Sequence, residues 1–112
     1  MNAPEFRLRP QRADDGDGHP LVVAVHGEID TTNASRFYQD VRELLSSRPV
    51  VMDLSRTDFF DSAAFAALDR LLAEGPLGVV MSPDSLLRKA AVILRVPVHD
   101  DVDSARAWFG EG

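Results

Sequence analysis

Apolar residues along the chain fall into two kinds of cluster that take turns: short uninterrupted runs, and longer stretches in which they recur every three or four positions. The first kind suits strands and the second suits the buried face of a helix. After an extended start at Phe6 to Pro10, the segment Gln11 to Pro20 gathers Gly, Asp and Pro and is read as a loop. Leu21 to Val25 is β-branched and continuous, ends at the polar His26-Gly27-Glu28, and is expected to be an inner strand. From Asn33 to Leu45, Ala34, Phe37, Tyr38, Val41, Leu44 and Leu45 mark one helical face that Ser46, Ser47 and Pro49 bring to an end. Val50 to Leu54 is a second strand, and Ser55 to Asp61 connects it to a helix marked by Ala64, Phe65, Leu68, Leu71 and Leu72.

Glu74-Gly75-Pro76 breaks that helix, and Gly78 to Met81 predicts a third strand. Leu86, Leu87, Ala90, Ala91 and Leu94 then outline another helical face, Val96 to Val98 a short edge strand, and Val102, Ala105, Trp108 and Phe109 a last helix. Strands alternating with helices, with continuous rather than alternating apolar runs, indicate an α/β fold: a mixed, mostly parallel sheet of four to five strands covered by about four helices. No internal repeat or low-complexity tract interrupts the pattern.

The 112 residues have room for one domain with one core. With 45% hydrophobic and 27% charged residues, the chain is expected to fold. No apolar run nears the ~20 residues a bilayer requires and the N-terminus lacks a signal-peptide pattern, so no membrane insertion and a cytoplasmic address are expected. The lack of cysteine excludes disulfides, thiolate metal sites and a cysteine nucleophile. A net charge of −6 with no basic cluster argues against direct nucleic-acid binding.

Catalytic patterns are sparse. His19, His26 and His99 have no metal-ligand spacing and are expected at exposed or loop positions. Ser62, His26 and Asp30 supply the residue types of a hydrolytic triad, but the G-x-S-x-G elbow is missing. Neither glycine-rich nucleotide loop occurs, so no cofactor is expected. Two acidic, hydroxyl-bearing junctions remain, Gly27 to Asn33 and Thr57 to Ser62, each leading into a helix. Their Asp30, Asn33, Asp61 and Ser62 are all residue types that cap helix N-termini, which alone could account for them.

Taken in order, Gly27-Glu28-Ile29-Asp30, Val50-Val51-Met52-Asp53-Leu54-Ser55, Phe60-Asp61-Ser62 and the Ala- and Leu-rich helix after it resemble the STAS domain of anti-sigma-factor antagonists. The similarity runs on through Ser82-Pro83-Asp84-Ser85 and Asp100 to Ala105, covering about residues 21–109. The resemblance implies a STAS-like fold and no enzymatic activity. It implies a partner, an anti-sigma factor that is also a serine protein kinase, and a serine phosphatase that resets the switch. The phosphoacceptor would be Ser62, and the partner-binding surface would include Asp30, Thr31, Thr32, Asp61, Ser62, Ala63 and Ala64. After Asp-Ser the family usually carries a small hydroxyl residue or glycine and then Gly-Leu-Gly, where this chain has Ala63, Ala64, Phe65 and Ala66. That departure keeps two other readings open: a STAS-type accessory subunit of a lipid-transport ATPase complex, and a constitutive, non-phosphorylated binding module.

Overall fold

A computed structural model describes residues 3–11 and 20–111; most of the expected Gln11 to Pro20 loop, with His19, lies outside them. Five strands form one sheet: β1 (Phe6–Pro10), β2 (Leu21–Ile29), β3 (Val50–Asp53), β4 (Thr57–Phe60) and β5 (Leu77–Val80). Four helices accompany it: α1 (Ala34–Leu45), α2 (Ser62–Glu74), α3 (Leu86–Ile93) and α4 (Val102–Arg106), the last continuing into a π-helical turn, Ala107–Glu111. The order across the sheet is β1-β2-β3-β5, with β4 also beside β2. β1 is antiparallel to β2 and every other pairing is parallel. The mixed, mostly parallel α/β architecture expected from the sequence is therefore the one found.

Alternate strand residues serve two layers. Val23, Val25, Val50, Met52, Leu77 and Val79 face a core shared with α1, α2 and Ala91 of α3, whereas Val22, Val51 and Val80 meet Ala105 of α4 on the other side. Burial on both faces explains why these strands lack polar alternation. Four aromatic rings tie the larger layer together: Phe6, Phe37, Phe60 and Phe65 meet in successive edge-to-face contacts with centroids 5.6, 5.9 and 4.9 Å apart. Such pairs contribute ~1 kcal/mol each beyond simple burial. They link β1, α1, β4 and the first turn of α2.

Several elements depart from the expectation. β2 does not end at Val25 but continues through His26-Gly27-Glu28 to Ile29. Gly27 makes this possible: it sits at φ 101°, and a Cβ there would lie 2.3 Å from the Glu5 carbonyl oxygen. The register of β2 against β4 shifts at the same place, between Gly27 and Glu28. The expected Ser55 to Asp61 connection contains β4, whose exposed Phe59 breaks the apolar run a buried strand would show. An Asp53 carboxylate that accepts both the N–H and the hydroxyl of Ser55, at 2.9 and 2.7 Å, turns the chain from β3 into β4.

At the other end, Val96 to Val98 is no strand; a lone parallel bridge joins Val80 to His99 instead. The chain there leaves α3 through Arg95 at φ 61°, with Val96 N–H bonded to Ala91 O at 2.8 Å and Arg95 N–H to Val92 O at 3.1 Å. That bond pair is a Schellman turn. Val96 is thereby buried against Ala91 while Leu94 stays exposed, so Leu86 and Leu94 do not belong to the buried face of α3. Among the described residues, no helix is long and apolar enough to cross a membrane.

Candidate functional site

The two junctions singled out in the sequence come together at one end of the sheet. β2 and β4 run parallel and pair Ile29 with Phe60, so Asp30 and Asp61 leave adjacent strands side by side. Asp61 N–H donates to Ile29 O at 3.2 Å, and the Thr31 hydroxyl reaches Asp61 Oδ2 at 3.5 Å. Asp61 is the N-cap of α2, its Oδ1 accepting the Ala64 N–H at 3.1 Å. Ser62 is the first residue of that helix and is exposed, so its hydroxyl is free of the capping role that the sequence left open for it.

The first junction is held differently. Asp30 Oδ1 accepts the N–H and the hydroxyl of Thr32, at 2.8 and 2.6 Å, forming a tight Asx turn. The Thr32 hydroxyl, then the Thr32 N–H, hold the Asp30 carboxyl below the usual carboxylate range. Asn33 occupies the N-cap position of α1 but makes no side-chain cap bond. Its amide faces inward instead: Nδ2 donates to Pro4 O and Glu28 O at 3.2 and 3.0 Å, and Oδ1 accepts the Asp30 N–H at 2.9 Å. Sequence reasoning placed Asn33 correctly and missed this role, which depends on how close the chain before β1 comes.

Of the expected surface residues, Thr31, Thr32 and Ser62 are exposed, and Asp30, Asp61 and Ala63 are half-buried. Ala64 differs: it is wholly buried, because its position on α2 turns its methyl into the core, so it offers no contact surface. Val25 faces the α2 side of the sheet, so strand alternation turns His26 to the opposite face, away from Ser62. No hydrolytic triad forms there. No group of three His, Asp or Glu side chains among the described residues is placed to hold a metal ion.

Beside Ser62 lies an apolar depression of ≈ 270 Å³ lined by Phe65, Ala66, Asp69, Leu94 and Val96 as well as Ser62 itself. Ser62, Ala66 and Asp69 share one face of α2 through their i, i+4, i+7 spacing. The Schellman turn at Arg95 sets Leu94 at the rim. Exposed aliphatic side chains continue along α3, where Leu86 and Ile93 are 81% and 78% accessible. The motif at Asp61-Ser62 pointed to the hydroxyl; the part of the apolar ground that Leu94 and Val96 add, from the turn after α3, left no local signal.

Fold and site together define a small α/β domain that presents the head of one helix beside an apolar surface. The chain belongs to the STAS domain family, which matches residues 11–79. No curated protein matches it in sequence. Among solved structures it is similar to an anti-sigma factor antagonist from Mycobacterium paratuberculosis, with 23% identity and a TM-score of 0.74 over 99% of this chain and 100% of that one. An antisigma-factor antagonist STAS domain from Rhodobacter sphaeroides aligns at 20% identity and a TM-score of 0.51, over 66% and 82%. A Shewanella loihica protein described as uncharacterized with a SpoIIAA-like fold aligns at 14% identity and 0.56, covering 97% of each. At these identities the likeness is one of fold.

Proposed function

We propose that this protein is an anti-sigma-factor antagonist that binds an anti-sigma factor with serine kinase activity and is released when that kinase phosphorylates Ser62. The observation that carries the reading is the setting of Ser62: an exposed hydroxyl at the first position of α2, on the rim of an apolar depression shared with Leu94. An apolar surface of this kind favours a protein partner, and a hydroxyl at its edge can be converted to a charge without touching the core.

The energetics favour a switch of binding rather than of fold. A phosphoryl group adds about −1.5 to −2 charges. Within the protein it meets the positive end of α2, where the N–H groups of Ser62 and Ala63 have no intrahelical acceptor. Toward a partner, the same charge adds to Asp61 and Asp69 on a surface that had offered a neutral hydroxyl, and an interface built on that hydroxyl would have to desolvate it.

Incubation with anti-sigma kinases of the same genome and ATP tests this, followed by mass spectrometry with fragmentation. One phosphate on Ser62, absent from Ser62→Ala, is expected. A kinase that binds tightly and never modifies Ser62 would replace the switch by a constitutive binding module. Co-purification with a transport ATPase, unaffected by Ser62→Asp, would assign the chain to a transporter complex.

A further inference from the structure

A second surface lies along the opposite edge of α1. Among the described residues β1 pairs only with β2, and the bonds from Gln11 N–H to Val22 O and from Glu28 N–H to Glu5 O, 2.7 and 2.8 Å, fix which of its backbone groups face the sheet. They are those of Glu5, Arg7, Arg9 and Gln11. Backbone direction alternates along a strand, so the N–H and C=O groups of Phe6 and Leu8 point outward, with no backbone partner among the described residues. Pro10, next in that series, has no N–H to offer. Among the described residues, the edge is thus open for two residues and closed at the third.

Above this edge is a groove of ≈ 460 Å³, walled by Phe6, Leu8 and Pro10 on the strand and by Asp40, Glu43 and Leu44 on α1. The Arg36 guanidinium sits 4.5 Å from the Phe6 ring centroid at one end. Asp40 and Glu43 follow one and two turns further along α1. On the other face of the strand, turned away from α1, Arg7 and Arg9 are exposed.

We propose that the β1 edge is a docking site for an extended segment of another protein, which joins the sheet as an antiparallel strand. Its acidic residues lie opposite Arg7 and Arg9, an aliphatic residue lies over Leu8, and a basic residue lies between Pro10 and the Asp40–Glu43 pair. Backbone pairing provides adhesion and the alternating charges set the register. A second copy of the chain fits poorly. Antiparallel registers that use the Leu8 and Phe6 donors together set Arg7 against Arg7, and shifting by two residues either sets Arg7 against Arg9 or brings Pro4, without an N–H, against Leu8.

The test uses the full chain and a labelled peptide, acetyl-Lys-Glu-Val-Glu-Ile-amide, with a scrambled peptide of the same composition as control. Amide NMR titration is expected to move Phe6 and Leu8 and the exposed face of α1, leaving Ser62 unmoved. Reversing both charges, Arg7→Glu with Arg9→Glu, is expected to weaken binding about tenfold, and exchanging Glu for Lys in the peptide to restore it. These arginines are solvent-exposed, so the variant keeps its fold. No saturable shift at Phe6 and Leu8, equal binding of the scrambled peptide, shifts centred on Ser62, or concentration-dependent pairing of β1 with itself would each overturn the proposal.

Discussion

Asn33 is 8% exposed and holds three backbone groups at once, so Asn33→Ala tests how the candidate surface is supported. The substitution removes bonds to Pro4 O, Glu28 O and Asp30 N–H, which join the lead into β1, the end of β2 and the loop before α1. A neutral hydrogen bond contributes ~1 kcal/mol net, and a buried group left unpaired costs ~1–3 kcal/mol. Pro4 is partly accessible and Glu28 exposed, so water can reach those two carbonyls, whereas the half-buried Asp30 N–H loses the side-chain acceptor that fixes the turn before α1. The expected loss is about 3 kcal/mol in urea unfolding, or a Tm lower by on the order of 10 °C. Amide exchange should quicken in β1 and in Asp30 to Thr32 before β5 is affected. A loss under ~0.5 kcal/mol, or unchanged protection of β1, would show that these bonds do not hold the junction.

Arg95→Gly should raise stability by ~1 kcal/mol in urea unfolding, because the residue holds φ 61° at the end of α3 and glycine relieves the left-handed strain; a destabilised variant would refute the turn assignment. Gly27→Ala should cost at least ~2 kcal/mol, since it combines φ 101° with a Cβ 2.3 Å from the Glu5 carbonyl oxygen; circular dichroism melts that match wild type would contradict the bulge. The Asp30 carboxyl titrates below its ordinary value, so its contribution is complete above about pH 4 and is lost as the pH falls through the lower, folded-state value. Removing the Thr32 hydroxyl with Thr32→Val should therefore flatten the acid limb of stability against pH, and an unchanged limb would remove Thr32 as the cause.

What the sequence revealed and concealed follows from how local each signal was. The helical faces of α1 and α2 stood out because their apolar spacing is set by neighbours three and four residues away. β3 and β5 stood out because both of their faces are buried. β4 was hidden by Phe59, an exposed residue on a four-residue strand whose existence depends on pairing with distant β2. The extension of β2 past His26 was hidden because only a glycine bulge lets polar residues stay in the ladder there. At the site, Asp61 and Ser62 were legible as a pair, yet which of them caps the helix was settled only by where each side chain goes. That Asp30 and Asp61 are neighbours required the parallel β2–β4 register. Leu94 entered the site through a turn formed by Arg95, a residue type that rarely adopts that conformation.

The central claim concerns one hydroxyl. Isothermal titration of the anti-sigma kinase with the unphosphorylated protein, with the protein phosphorylated at Ser62, and with Ser62→Ala tests it directly. The account predicts tight binding by the first and by Ser62→Ala, and at least ~100-fold weaker binding by the phosphorylated form, the scale expected for burying an uncompensated charge at an interface. Equal affinity of all three forms would contradict it.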